Sequence, residues 1–347
     1  MGRFMTKKAL ITGITGQDGA VLADILLQKG YDVHGMRLYS ATPDDVRTRH
    51  LDGLTLHYGD MGDGGNIMRL IETIKPDEVY NLAAMSHVHV SFDVPEMAGN
   101  INALGPLRFL EAIRNLGAQK QIRFYQASSS EMFGRTPAPQ NEETYFSPCS
   151  PYGTAKLYAY WMVRNYREAY GLHASNGILF NHESALRGEE FVTRKITKAV
   201  CEIEAGLRDY MTLGNLDSKR DWGHAHDYMN GAWAMLQQPQ GDDYVLASEK
   251  AHSVRAFVNS AFAAVGIMVE WEGEGLDEIG RNKINGNVLV KVDPKFYRPT
   301  EVHHLLGDAK KARKILNWKP RYSFDDLVKE MVNADRLIDP KATLKVV

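Results

Sequence analysis

The chain has 347 residues, 44% of them hydrophobic and 24% charged, with a formal net charge of -2. This is globular composition, which excludes a disordered chain, and the near-neutral balance gives no basis for a nucleic-acid or membrane surface. Cys149 and Cys201 are the only cysteines, too few for a disulfide framework, so a reducing cytoplasm is expected; no apolar run approaches the ~20 residues of a membrane span.

Residues 7–12 read as an apolar strand running into a glycine-rich turn, and 17–29 as a helix with Val21, Leu22, Ile25 and Leu26 on one side. A second strand is predicted over 31–36 and a third over 54–58. A helix follows over 66–74, then a strand over 78–83, a helix over 102–116 and a strand over 123–127. A long helix spans 152–170 and another strand 174–181. This alternation predicts a Rossmann-type, doubly wound parallel sheet. Beyond it the pattern loosens: a helix over 191–205, a strand over 209–213, a helix over 227–237, a mobile loop over the Gly-rich, charged 273–287, and helices over 309–317 and 325–334. The expected division is a dinucleotide-binding domain over 1–180, rejoined by segments around 210–250, and a smaller substrate-binding lobe over 181–347.

The first turn carries Gly13, Thr15, Gly16, Gln17, Asp18 and Gly19, with glycines spaced G-x-x-G-x-x-G. Between a strand and a helix, such glycines let backbone N–H groups approach a pyrophosphate. The bland alternative is a tight strand-to-helix connection; position after the first strand favours the cofactor. The second strand ends on Arg37, with Ser40 and Thr42 nearby, where an acidic residue would grip the ribose of NAD. A guanidinium there suits the 2′-phosphate of NADP. Asp60 and Met61 follow the third strand, where a carboxylate meets the adenine. Leu82, Ala83 and Ala84 end the fourth with small residues that let backbone pass under a cofactor.

Tyr152 and Lys156 form Tyr-x-x-x-Lys on one face of the long helix. The lysine charge is expected to lower the phenol pKa, so that Tyr152 can take a proton from a sugar hydroxyl. Ser129 and Glu131 end the fifth strand, at the sheet edge where active sites form. Glu131 is the informative one: once C4 of a hexose is a ketone, a carboxylate can remove the acidified C5 proton and drive loss of the C6 hydroxyl. His87-x-His89 and His224-x-His226 invite a metal reading, but no acidic or thiol pattern completes a site, and no metal is expected.

The segments GITGQDG (13–19), ASSSEMFG (127–134), SPYGTAKLYAYW (150–161), LFNHESALRGEEFVTR (179–194), LGNLDSKRDWGHAHDY (213–228) and YRPTEVHHLL (297–306) carry a resemblance over nearly the whole chain. It resembles the GDP-mannose 4,6-dehydratases, extended short-chain dehydrogenases/reductases. That resemblance implies a hydro-lyase converting GDP-mannose to GDP-4-keto-6-deoxymannose by internal hydride transfer through bound NADP. It implies catalytic roles for Ser129, Glu131 and Tyr152 with Lys156 in support, cofactor contacts from Ser86, Lys156, His182 and Arg187, and a substrate pocket of Ser86, Ser129, Glu131, Asn181 and Glu183. Val192, Lys195, Gly214, Arg220, Arg298 and Glu301 match positions that hold the GDP portion. It also implies a homo-oligomer, a dimer through the long helix with its Tyr158, Tyr160, Trp161, Tyr166 and Tyr170, or a tetramer.

Three departures bear on details. The loop after the second strand, Arg37-Leu38-Tyr39-Ser40, lacks the family's paired arginines; Ala185-Leu186 stands where a proline is usual; and Met85 to His89 replaces a Gln-containing version. The last two leave a GDP-manno-heptose dehydratase as the alternative. An epimerase or reductase is disfavoured by Glu131, and a non-catalytic NADP-binding regulator by the intact Ser129, Tyr152 and Lys156.

Overall fold

The computed structural model describes residues 6–40, 46–116, 121–296 and 304–337. Seven strands form one sheet, in the order Asp243–Leu246, Ala174–Leu179, Arg123–Ser129, Glu78–Asn81, Lys8–Thr12, Asp32–Arg37 and Leu54–Tyr58, and every neighbouring pair is parallel. This is the doubly wound sheet the alternation predicted. Its central strands are buried on both faces, as a sheet covered by helices requires. Ala9 and Ile11 enter one hydrophobic cluster and Leu10 the opposite one. Gln17–Gln28 and Ala225–Gln237 pack together against the first cluster; Gly64–Ile74, Gly105–Leu116 and Pro151–Tyr170 pack about the second.

Local chemistry sets the helix ends. Asp63 accepts from the backbone N–H of Asn66 and starts the second long helix two residues earlier than periodicity predicted. Ser150 caps Pro151–Tyr170, Pro151 occupies its first turn, and Gly171 stops it at φ 67°. The predicted helix over 102–116 has a longer start: Pro95–Gly99 runs through a π-turn, Asn100–Leu104, into Gly105–Leu116. The π-turn aims Asn102 at the Met85 backbone, accepting from its N–H and donating to its carbonyl, both at 2.9 Å.

The smaller lobe is built on a four-stranded sheet, Val269–Glu272, Ile279–Asn282, Val288–Val292 and Met211–Leu213. The loop expected over 273–287 is therefore corrected: it holds a 3-10 turn, Gly275–Asp277, and a strand, Ile279–Asn282, antiparallel to both neighbours. Charge and glycine masked a half-buried pattern in which Val269 and Trp271 pack against the lobe core and Gly280 leaves room for the Trp271 ring. A three-stranded sheet, Ala251–Ser253, Lys219–His224 and Asn181–Glu183, is also present. No helix among the described residues is long and apolar enough to cross a membrane.

Candidate active site

The carboxyl ends of the central parallel strands open into two adjoining cavities of about 660 and 730 Å3. The first is lined by the glycine turn, Arg37, Asp60, Met61, Leu82, Ala83, Ala84, Ser86 and Arg187. The second is lined by Ser129, Glu131, Tyr152, Lys156, Asn181, His182, Glu183, Val192, Lys195, Gly214 and Arg220. Lys156 and His182, expected among the cofactor residues, thus face the second cavity, and Asp18, Ser86 and Arg187 border both.

The glycines divide by role. Gly13 has φ 66°, and a Cβ there would lie 2.9 Å from the Ala83 backbone. At Gly19 it would lie 2.3 Å from the Gly13 carbonyl. Both are demanded by the chain's own packing. At Gly16 a Cβ meets only that carbonyl, at 3.2 Å, so its bareness serves the cavity instead. Gly16 is also the N-cap of Gln17–Gln28 and offers no side-chain cap, so the first-turn amides are open to an anionic group. A pyrophosphate fits this cradle.

Arg37 lines the cavity but its guanidinium lies 5.2 Å from the Tyr58 ring, within hydrogen-bond distance of that phenol at 3.4 Å. Thr42 lies outside the described residues. Arg47, which sequence reasoning missed, also lines the cavity; it donates to Leu186 O at 2.8 Å and Thr15 O at 3.3 Å, tying the glycine turn to the 184–188 loop.

Between the cavities lies a polar knot. His182 Nε2 is 2.8 Å from Asp18 Oδ2, and its Nδ1 lies 2.8 Å from the Phe180 carbonyl. Gln17 donates to Asp18 Oδ1 and to the His182 carbonyl, while Ser184 donates to Gln17 Oε1. Burial pushes the Asp18 carboxyl up, but His182 and these hydrogen bonds outweigh it and hold Asp18 at about 2. Burial lowers His182, yet the Asp18 charge leaves it raised. Glu183 is buried against Arg187 Nε at 2.9 Å and accepts from Thr193 at 2.7 Å; burial nevertheless raises its pKa. Arg187 lies 3.6 Å over the Phe191 ring.

Of the two serines ending Arg123–Ser129, Ser128 donates to Asn176 at 3.0 Å. Ser129 stands close enough to the Tyr152 phenol to lower its pKa and accepts from Glu131 N at 3.2 Å. Tyr152 N donates to Ser91 Oγ at 3.2 Å, a partner that the sequence did not flag. Lys156 donates to the Ala127 carbonyl at 2.8 Å, with Nζ 5.8 Å from the Tyr152 ring centre. The lowered phenol pKa expected from Tyr-x-x-x-Lys is corrected here. Burial pushes Tyr152 up to about 12 against the lowering by Ser129. Burial also brings Lys156 down to about 8, so the lysine itself is poised near neutrality.

The far end of the second cavity is basic. Lys195 Nζ stands 3.4 Å over the Phe296 ring, and burial and neighbouring Lys295 lower its pKa. Arg220, 7% exposed, and Gly214 line the same wall. Arg298 and Glu301 lie outside the described residues. Neither histidine pair shares one strand: His87 precedes a turn that holds His89, and His224 ends a strand that passes into the helix holding His226. Both His87 and His89 line the second cavity. Among the described residues no three His, Cys, Asp or Glu side chains form a metal-binding group.

The family model described as GDP-mannose 4,6 dehydratase matches residues 10–331. The GDP-mannose 4,6-dehydratase of Sinorhizobium fredii (strain HH103) is 54% identical, over 95% of this chain and 96% of that protein. The Homo sapiens GDP-mannose 4,6 dehydratase is 51% identical, over 94% and 91%. Among solved structures, a dTDP-glucose 4,6-dehydratase from Bacillus anthracis in complex with NAD superposes with a TM-score of 0.77, at 18% identity over 95% of this chain and 96% of that one. A Pseudomonas aeruginosa structure complexed with NADPH gives 0.74, at 18% identity over 96% and 100%. At those identities the two structures speak for the fold alone.

Proposed function

Because the chain belongs to the GDP-mannose 4,6-dehydratase family, we propose that it is a hydro-lyase that removes water from GDP-mannose to give GDP-4-keto-6-deoxymannose. The observation that carries this reading is the single cavity wall on which Ser129, Glu131, Tyr152 and Lys156 meet, adjoining the glycine cradle. The cradle suits a nicotinamide dinucleotide, and Arg37 and Ser40 at its rim favour NADP. A dinucleotide held by Gly13, Gly16, Arg37 and Ser40 would supply the hydride acceptor for oxidation at C4 of the sugar and the hydride donor for reduction at C6.

The chain's own residues manage the protons. Tyr152 takes the proton of the C4 hydroxyl; neighbouring Ser129 lowers the phenol pKa against its burial, and Lys156 Nζ stands 5.8 Å from the ring centre. Glu131 removes the C5 proton made acidic by the ketone and passes it to the C6 hydroxyl, which leaves as water; C5 regains a proton from solvent as hydride adds at C6, and Tyr152 returns its proton to solvent. His182 and Asp18 fix the floor where the cavities meet. Lys195 and Arg220 suit the diphosphate, Arg220 through its planar fork; Arg298 and Glu301 belong to the same proposal for the nucleoside end. The cofactor-binding unit we propose is residues 1–180 with part of the 210–250 segment: Ala225–Gln237 packs on Gln17–Gln28 and Asp243–Leu246 joins the large sheet, whereas Met211–Leu213 belongs to the lobe sheet. Tyr158 and Trp161, 40% and 51% exposed on the long helix, suit a homodimer face. Cys149 and Cys201 are both free thiols, which suits the cytoplasm.

The test is incubation of the purified protein with GDP-mannose and no added reductant, followed by mass spectrometry of the nucleotide sugar. Loss of one water is expected; an unchanged mass would overturn the substrate assignment.

A further inference from the structure

The register of the large sheet lays three buried polar side chains in a row. Thr12 pairs with Asn81, and Asn81 with Gln126; all three are 0% exposed. Polar groups in the dry centre of a parallel sheet are costly unless satisfied, and here each satisfies the next. Thr12 Oγ1 donates to Asn81 Oδ1 at 2.7 Å, Asn81 Nδ2 to Gln126 Oε1 at 2.8 Å, and Gln126 Nε2 to the Ala127 carbonyl at 3.0 Å.

The direction of the row is forced. The Thr12 oxygen already accepts from the backbone N–H groups of Leu82 and Ala83, at 3.1 and 3.0 Å, so its proton goes to Asn81. An amide whose oxygen accepts on one side presents its NH2 on the other. The row therefore starts on two amides of the segment lining the first cavity. It ends on the carbonyl that receives Lys156 Nζ.

We infer that Thr12, Asn81 and Gln126 are positioning residues for the reaction: their hydrogen-bonded row couples the seating of Leu82 and Ala83 to the placement of the Lys156 ammonium beside Tyr152. This rests on the catalytic reading of Lys156. A carbonyl fixed by the Gln126 amide is a fixed acceptor for the ammonium. If the row is broken, the lysine keeps its charge but loses its place.

The test compares purified full-length variants by kcat, KM for GDP-mannose, the pH profile of kcat and thermal midpoint. Thr12→Ser keeps the hydroxyl and should retain kcat, whereas Thr12→Val should lower kcat about tenfold or more with KM little changed. Gln126→Glu puts a carboxylate near the ammonium, so the alkaline limb of kcat should move up by about half a pH unit or more. That limb does not depend on how much of the variant folds. Thr12→Ser and Thr12→Val losing kcat alike, or a limb unmoved in Gln126→Glu, would show that the row only holds the sheet together. Lys156→Met separates the two readings. If it keeps wild-type kcat, the catalytic reading fails and this inference with it; if it is inactive while Thr12→Val is not, only this inference fails.

Discussion

His182 Nε2 lies 2.8 Å from Asp18 Oδ2 across 164 positions of sequence, and the pair joins the first helix after the glycine turn to the strand that enters the smaller lobe. Asp18 is held at about 2, below its ordinary 3.8, so its contribution to stability is complete above about pH 4 and lost as pH falls through 2. His182 is raised from 6.5, so its contribution is complete below 6.5 and lost as pH rises past the raised value. Asp18→Asn should therefore cost the most between about pH 4 and 6.5, on the order of 2 kcal/mol. Urea unfolding of both proteins across pH 2–9 checks it; a constant difference across that range would contradict the assigned ion pair.

The glycine turn should separate fold from binding. Gly19→Ala drives a methyl to 2.3 Å from the Gly13 carbonyl and should lower the thermal midpoint clearly. Gly16→Ala meets only one atom at 3.2 Å, so the fold should lose less than about 1 kcal/mol while NADP affinity falls sharply. Calorimetry of unfolding and titration with NADP read the two effects. Equal loss of stability in both variants would remove Gly16 from the cofactor cradle.

Tyr152→Phe should leave GDP-mannose binding in place and lower kcat by roughly 10²–10⁴. In the unaltered protein kcat should fall as pH rises through about 8, where Lys156 loses its proton. Steady-state rates from pH 6 to 10 with GDP-mannose test this, and a plateau reaching past pH 9 would contradict a charged Lys156 as the supporting group.

The legible part of the molecule was its parallel half. Continuous apolar runs such as residues 9–11 and helical spacing about Leu22 and Ile25 fixed the layers, because burial on both faces leaves one residue pattern. The glycine turn and Tyr152 with Lys156 were legible because their function depends on near neighbours in sequence. Arg47, Asn102 and Ser91 were not, since each acts on backbone brought to it by the fold. The Tyr152 pKa was misjudged for the same reason: spacing shows a nearby lysine, but burial, a tertiary property, outweighs it. Residues 273–287 misled because their strand packs only one face and carries charge on the other.

Glu131→Gln should block proton removal at C5. In deuterated water the unaltered protein should place solvent deuterium at C5 of the product, and the variant should make product at least about 100-fold more slowly, with no exchange at C5 of recovered GDP-mannose. Exchange continuing in the variant would move that role to another residue.

The most direct test of the account is to supply GDP-mannose deuterated at C4 and locate the label in the product by nuclear magnetic resonance. An internal transfer predicts deuterium on C6 of the 4-keto-6-deoxy sugar. Water lost with C6 unlabelled and deuterium released to the solvent or to added NADP would contradict it.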